Sequence, residues 1–156
     1  MFHSVVSGFT IWTSYEVITM WAFANNLIPF LSWEASPFWF IVLFLVIPIF
    51  RDAHFYLVHR LLHFKFLYKH VHSLHHKNID IGPWSGLAMH PIEHLYYYSC
   101  IGPSLVILAS PFAFMWNGVH LLISPAASHS GWEDHFQADQ YHYLHHRSHL
   151  NNDHQI

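Results

Sequence analysis

The chain has 156 residues, of which 53% are hydrophobic and 10% are charged, and its formal net charge is −3. Soluble domains carry roughly 25% charged residues, so this composition predicts a protein for which water is not the only solvent. Six basic residues are too few for the positive surface that binds a nucleic acid backbone, and one cysteine excludes a disulfide framework. We expect one membrane domain over residues 1–156 that binds no nucleic acid.

Two apolar runs open the chain, at residues 8–31 and 37–53. The first is long enough for the roughly 20 residues that a tilted transmembrane helix needs. No Lys or Arg precedes it, so we expect a span rather than a cleaved leader. The second run continues into a helix that carries the first histidine pair. The turn-forming residues 32–37 between the runs predict a helical hairpin.

Two further apolar runs, at residues 95–110 and 111–127, are each near the lower length limit for a span. They predict two short spans or a hairpin that dips into the bilayer, with a break at Ser110-Pro111. The sequence thus predicts an all-α integral membrane protein with four transmembrane or membrane-dipping helices in two hairpins. The alternative, a soluble helical domain, has too little polar surface to cover so apolar a core.

The positions of the basic residues predict which ends of the helices face the cytoplasm. All six lie at or beyond the ends of the second and fourth runs, at Arg51, Arg60, Lys65, Lys69, Lys77 and Arg147. Two crossings and four crossings return the chain to the same side of a membrane, and short cytoplasmic segments are enriched in Lys and Arg. We therefore expect a cytoplasmic, histidine-rich helical cap formed by residues 54–94 and 128–156.

Eighteen histidines are the most unusual feature of the chain, and eight of them form three clusters. Spacings of three and four residues place imidazoles on one face of a helix. Eight imidazoles exceed what one tetrahedral or octahedral ion can use, which indicates two ions. Imidazole suits zinc, copper, iron and nickel alike, but oxygen chemistry on a lipid at the membrane face favours iron. The candidate ligands are His59, His63, His72, His75, His76, His142, His145 and His146.

Other residues are candidates for supporting roles. His90 and His129, outside the clusters, are possible additional ligands. Asp52 lies seven residues before His59, on the same helical face, where it can orient a ligand imidazole through a hydrogen bond. Its alternative role is a charge beside Arg51 at the membrane interface. The role of Glu93 is open.

The clusters and their surroundings resemble a known family. The stretches RDAHFYLVHRLLH (residues 51–63), YKHVHSLHH (68–76) and HYLHH (142–146) are similar to the histidine boxes of the fatty acid hydroxylase and sterol desaturase superfamily. PWSGLAMHP (83–91) and SHSG (128–131) resemble its sterol-desaturase branch. The resemblance implies that the eight clustered histidines bind two iron ions, and that His90 and His129 match family histidines outside the boxes.

The resemblance also implies an activity. Members of the superfamily are membrane-bound di-iron oxidoreductases that use O2 to hydroxylate or desaturate a lipid, here of the sterol or fatty acyl class. Electrons would come from an external carrier such as cytochrome b5 with its NAD(P)H-dependent reductase. The expected location is the endoplasmic reticulum membrane in a eukaryote, or the inner membrane in a bacterium.

Two alternatives stay open. One is a non-enzymatic membrane protein that binds or transports metal, although a transporter would carry ligands at the membrane midplane and only His120 lies within an apolar run. The other is a truncated, inactive isoform, because residues 147–156 differ from the aromatic and Asn-Tyr-Gly segment that follows the third box in the family.

Overall fold

The computed structural model describes residues 2–77, 82, 84–129 and 144–146. Within these ranges the chain is helical, with no strand beyond an isolated bridge between Phe30 and Ala109. The prediction of an all-α protein is confirmed for this part. The α-helices are α1 (Ser7–Ala24), α2 (Pro37–Leu62), α3 (Lys65–Leu67), α4 (Ser73–His76), α5 (Pro91–Tyr98) and α6 (Pro111–Ser128). Shorter π-helical segments are Phe2–Val6 and Tyr68–His72, and 3-10 segments are Ser85–Leu87 and Ser99–Leu105.

The first apolar run contains a shorter helix than the span predicted over residues 8–31. Helix α1 ends at Ala24, where the Asn25 side chain donates a hydrogen bond to the Trp21 carbonyl oxygen at 2.8 Å. Asn26 then adopts a φ of 55°. This left-handed conformation is tolerated by asparagine but stops a right-handed helix.

The third apolar run is not one helix over residues 95–110. Helix α5 begins earlier, at Pro91, and ends at Tyr98, after which the chain tightens into the 3-10 segment Ser99–Leu105. Pro103 lies inside that segment. A proline has no backbone N–H to donate and disfavours α-helix in the residue before it, which explains why the α-helix does not continue.

Helix α2 is the one described helix that is long and apolar enough to cross a membrane. It has 26 residues with a mean hydropathy of 1.9, and only 11% of its most apolar window is buried. The core helix of a soluble protein passes the same test of length and composition, but it is mostly buried. The four predicted spans therefore stay a prediction.

The predicted pairing of consecutive runs into two hairpins is not confirmed. Among the described α-helices, the most extensive packing is between α2 and α6 and between α1 and α5. Helix α1 also reaches α6 through Trp12, whose ring stacks on Phe114 at 5.3 Å. Gly118 permits this contact, because a Cβ there would lie 2.6 Å from the Trp12 ring. The connections between consecutive helices are long enough to let these non-consecutive pairs form.

Two prolines inside helices free carbonyl groups that other helices satisfy. Pro48 in α2 cannot donate to Phe44, and the Trp116 indole of α6 donates to that oxygen instead, at 2.9 Å. Pro125 in α6 likewise leaves Leu121 without its helical donor, and the Tyr97 hydroxyl of α5 donates there at 3.0 Å. These two hydrogen bonds join α6 to both neighbours.

Candidate metal centre

Three separate segments bring five histidines to one point, and we call this group the five-histidine cluster. The last turn of α2 and its end supply two, the helical segment 65–76 supplies two, and residues 144–146 supply one. One nitrogen from each ring lies within 4.8 Å of all the others. The members are His59, His63, His72, His76 and His145.

The nitrogen spacing in this cluster suits a metal ion. His59 Nε2 lies 2.9 Å from His145 Nε2 and 3.2 Å from His63 Nε2, and the Nε2 atoms of His72 and His76 are 3.1 Å apart. Metal–nitrogen bonds of about 2.1 Å at right angles would place neighbouring ligand atoms about 3.0 Å apart. Several imidazole nitrogens at this spacing cannot all be joined by hydrogen bonds, because each neutral ring carries only one N–H.

A second group, which we call the three-histidine cluster, contains His75, His129 and His146. All three side chains are buried, and their ligand nitrogens also lie within 4.8 Å of one another. His129, at the end of α6, comes from outside the predicted boxes. The structure thus adds this histidine to two that the box pattern singled out.

Adjacent histidines in the chain divide between the two clusters. His76 and His145 belong to the five-histidine cluster, whereas their neighbours His75 and His146 belong to the three-histidine cluster. Consecutive residues of a helix point about 100° apart, so they reach different centres. The clusters are in contact, since the rings of His76 and His146 stack at 4.5 Å.

Burial favours the neutral form of three imidazoles in the two clusters. Burial, reinforced by the neighbouring histidines, lowers the pKa of His72 to about 2, and it lowers the pKa of His76 still further. Burial alone lowers the pKa of His129 to about 4. A neutral imidazole has a free nitrogen lone pair at neutral pH, which is the form that binds metal.

In each cluster, the described residues include a hydrogen bond between a ligand candidate and a residue other than histidine. His72 Nδ1 and Glu93 Oε1 form a hydrogen bond of 2.8 Å, and both side chains are buried. Burial raises the pKa of Glu93 to about 8, and a backbone hydrogen bond from His90 opposes part of this shift. In the other cluster, His129 Nδ1 lies 3.1 Å from the hydroxyl oxygen of Ser85. Such partners orient the metal ligands in many sites.

Two other predicted site residues, His90 and Asp52, belong to neither cluster. His90 caps α5, because its Nδ1 accepts a hydrogen bond from the Ile92 N–H at 3.2 Å. Asp52 pairs with Arg51 and lines the cavity beside the clusters, and no hydrogen bond joins it to a candidate ligand in the part of the chain that the structure describes. His142 lies outside the described residues.

A cavity of about 220 Å³ opens beside both clusters. Its wall combines histidines of each cluster with apolar side chains and one buried cation, and includes His59, His75, His129, Phe55, Met89 and Arg51. A larger, mostly apolar cavity of about 920 Å³ lies along α1. The turn Ser85–Leu87 separates the two, with Gly86 lining the first and Leu87 the second.

Sequence reasoning left Glu93 open and did not single out Ser85. A signal for Glu93 was present, since it stands three residues after His90 and two after Pro91, at the third position of a helix that begins with proline. A glutamate there often reaches back to the N-cap residue. Nothing in the sequence indicated that its carboxylate also reaches His72, because that contact joins segments 21 residues apart.

A sequence model of the fatty acid hydroxylase family matches residues 43–155, which is more than half of the chain. The chain belongs to the fatty acid hydroxylase family. The matched range contains the three histidine boxes together with Glu93 and His129, so the family assignment covers both clusters.

Similar proteins differ in the reactions that their names describe. A methylsterol monooxygenase 1 from Gallus gallus is 29% identical over 105 residues, 65% of this chain and 36% of that protein. A Delta(7)-sterol 5(6)-desaturase from Aspergillus fumigatus is 36% identical over 97 residues, 58% of this chain and 30% of that protein. Fatty acid hydroxylase domain-containing protein 2 from Macaca fascicularis is 32% identical over 133 residues, 77% and 39% respectively. The chain therefore spans well under half the length of these relatives. No solved structure matches it significantly.

Proposed function

We propose that this chain forms the catalytic part of a membrane-bound oxidoreductase that uses O2 to hydroxylate or desaturate a lipid of the sterol or fatty acyl class. The observation that carries the proposal is the convergence of eight imidazoles into two touching clusters beside one cavity. The family assignment supports it, because the similar proteins include a sterol monooxygenase and a sterol desaturase.

The proposed cofactor is a pair of iron ions, one at each cluster. The nitrogen spacing of 2.9 to 3.2 Å suits metal binding, as do the buried, neutral rings of His72, His76 and His129. Bound iron would supply reductive O2 activation and hydrogen abstraction from a C–H bond. The protein would orient the ligands through Glu93 and Ser85 and line the cavity with apolar side chains that exclude water.

A lipid substrate is consistent with the apolar surfaces around the clusters. The larger cavity along α1 is lined by side chains such as Phe9, Trp12 and Leu122. It could hold hydrocarbon, while the smaller cavity would hold the carbon that reacts.

The proposed setting is a multi-pass membrane protein of the endoplasmic reticulum, or of the bacterial inner membrane, with a cytoplasmic histidine cap. Helix α2 supports this proposal by exposing an apolar stripe, in which Phe38 is 77%, Leu45 67% and Ile49 69% exposed. Apolar side chains on such a stripe are stable against lipid and costly against water.

An acidic electron carrier such as cytochrome b5, with its NAD(P)H-dependent reductase, is the proposed redox partner. Residues 53–77 contain four cations and no Asp or Glu, and all four cations are exposed. They are Arg60, Lys65, Lys69 and Lys77. This basic segment carries four members of the five-histidine cluster, so an acidic protein bound there would lie close to the proposed iron.

The direct test is product analysis with isotopic oxygen. Protein loaded with Fe(II) in lipid nanodiscs, supplied with a chemical reductant and ¹⁸O2, is incubated with sterols and fatty acyl lipids and analysed by mass spectrometry. A hydroxylase gives a product that carries ¹⁸O, and a desaturase gives one that has lost two hydrogens without gaining oxygen. Both products must depend on iron and reductant, and both must disappear in His76→Ala but not in His70→Ala, whose exposed ring lies outside both clusters. Metal binding without O2 consumption would instead support a non-enzymatic metal protein.

A further inference from the structure

Glu16 places a carboxylate in the wall of the larger, mostly apolar cavity along α1. It is the one charged residue of α1, and the one charged residue among the described side chains that line this cavity. No hydrogen bond or ion pair joins its carboxylate to another residue in the part of the chain that the structure describes. A charge beside apolar surface is costly, so an acid in this position indicates a binding function.

Thr13 provides a second polar group next to this carboxylate. It lines the same cavity and stands three residues before Glu16, one turn away on the same face of α1. A carboxylate accepts hydrogen bonds, whereas a threonine hydroxyl also donates one. A hydroxyl group of a ligand matches this pair, because it can donate to Glu16 and accept from Thr13.

Other head groups match the pair less well. The carboxylate of a free fatty acid would be repelled by Glu16, since both groups carry negative charge. An ammonium group would have to leave water as a charge, and that cost offsets much of its attraction to Glu16. An uncharged hydroxyl head group avoids both penalties.

The smaller cavity, beside the clusters, lies near the end of the larger cavity that is remote from Glu16. The turn Ser85–Leu87, which separates the cavities, packs against Phe2–Val6, the segment before α1. Gly8, near the start of α1, also lines the larger cavity. Glu16 follows Gly8 by eight residues, which is about 12 Å along the helix at 1.5 Å per residue.

Helix α6 gives the same direction. Gly118 lies against Trp12, and one turn later Leu122 lines the larger cavity. Pro125 then lies against Gly86, and both of these residues line the smaller cavity. A ligand that extends from Glu16 toward the start of α1 therefore extends toward the histidine clusters.

We propose that Glu16 and Thr13 are specificity-determining residues that bind the hydroxyl head group of an uncharged, long-chain lipid, and that Glu16 disfavours lipids with an anionic head group. The hydrocarbon extends along α1, so that the reacting carbon lies about 12 Å or more from the head group. The inference rests on the proposed function, because that function defines the reacting end of the lipid. It narrows the substrate to lipids that carry a free hydroxyl.

The test compares three ligands that share one chain length and differ in head group: hexadecanol, palmitate and hexadecylamine. Each displaces tritiated hexadecanol from the full chain in detergent, without added metal and at a pH where palmitate is ionised. We expect wild-type protein to bind hexadecanol at least about 10-fold more tightly than palmitate, because of the like charges. We also expect it to bind hexadecanol more tightly than hexadecylamine.

Glu16→Gln tests the cause of this selectivity. Glutamine keeps the size of the side chain and an acceptor oxygen but removes the charge. We expect the affinity for palmitate to rise by about 10-fold and the affinity for hexadecanol to change little. Glu34→Gln is the matched control, because Glu34 is an exposed acid between α1 and α2 and does not line the cavity. It should leave both affinities unchanged.

Thr13→Val tests the second polar group. Valine has a similar shape but no hydroxyl, so it should weaken hexadecanol binding by about 5-fold, as expected for one lost hydrogen bond. Circular dichroism of each variant checks that its helical content equals that of wild-type protein.

The outcomes separate this inference from the proposed function, because binding is measured without metal, O2 or turnover. Selective binding of hexadecanol without any oxidised product in the isotope experiment would overturn the proposed function alone. Equal binding of hexadecanol and palmitate, tighter binding of hexadecylamine, or an unchanged palmitate affinity in Glu16→Gln would overturn the role of Glu16. So would the absence of hexadecanol binding to wild-type protein.

Discussion

Gly86 lies where α6 meets the turn between the two cavities. An ideal Cβ at this position would lie 2.4 Å from the carbonyl oxygen of Pro125, far inside van der Waals contact. Backbone cannot move aside as a flexible side chain can. The absence of a side chain at residue 86 therefore permits the close approach that shapes the smaller cavity, beside the clusters, which Gly86 and Pro125 both line.

We predict that Gly86→Ala lowers the free energy of unfolding by about 1 to 3 kcal/mol, as overpacking does in other proteins. Denaturant unfolding in detergent, followed by circular dichroism, measures the change. Gly102→Ala is the matched control, because a Cβ there meets no atom within 4 Å. Equal destabilisation by the two substitutions would contradict the proposed clash.

His94 is a buried histidine outside both clusters, and it predicts a dependence of stability on pH. Its Nδ1 lies 3.1 Å from the Ser7 hydroxyl oxygen, and burial lowers its pKa to about 4. In the unfolded chain, where a histidine has a pKa of about 6.5, this residue binds a proton below about pH 6.5. In the folded chain it binds the proton only below about pH 4. Through His94, the folded state therefore loses stability as the pH falls from about 6.5 to about 4.

We expect His94→Gln to reduce the loss of stability between about pH 7 and about pH 5, because glutamine does not titrate. Thermal unfolding of metal-free protein at the two pH values gives the comparison. His70→Gln, at an exposed position, should leave the difference unchanged. An unchanged difference in His94→Gln would show that His94 is not the source.

At the scale of helices, the bond between Trp116 and the Phe44 carbonyl oxygen compensates for Pro48. In wild-type protein, Trp116→Phe should cost about 1 kcal/mol for the lost hydrogen bond, in addition to the change in packing. In a Pro48→Ala background the backbone N–H of residue 48 can donate to the Phe44 carbonyl oxygen, so the cost of Trp116→Phe should fall. A double-mutant cycle from unfolding free energies measures this coupling. Additive effects would contradict the compensation.

The sequence predicted helix starts better than helix ends. Helix α2 begins at Pro37 and α6 at Pro111, as the turn signals before the second and fourth runs indicated. The end of α1 was missed because Asn25 and Asn26 were treated as a mild interruption of an apolar run. The third run was wrongly predicted to be one helix, because hydropathy does not register the backbone cost of Pro103.

The histidine boxes predicted which residues are candidate metal ligands, but not which histidine belongs to which cluster. Spacing suggested that each box presents one face, whereas His75 and His76 point to different clusters. His129 was a secondary candidate, and its place beside His75 and His146 depends on how α6 packs. Contacts between segments distant in the chain, such as His72 with Glu93, are set by tertiary packing that local spacing does not encode.

At the scale of the whole molecule, both histidine clusters lie beside one cavity, and the basic segment carries four members of the five-histidine cluster. The central claim is that the two clusters each hold one metal ion. Metal analysis of detergent-purified protein by mass spectrometry, with the protein concentration measured independently, tests it most directly. We predict two ions per chain in wild-type protein and in His70→Ala, and at most one in His75→Ala or His76→Ala. An unchanged metal content in His75→Ala and His76→Ala, or no metal in wild-type protein after loading with Fe(II), would contradict the account.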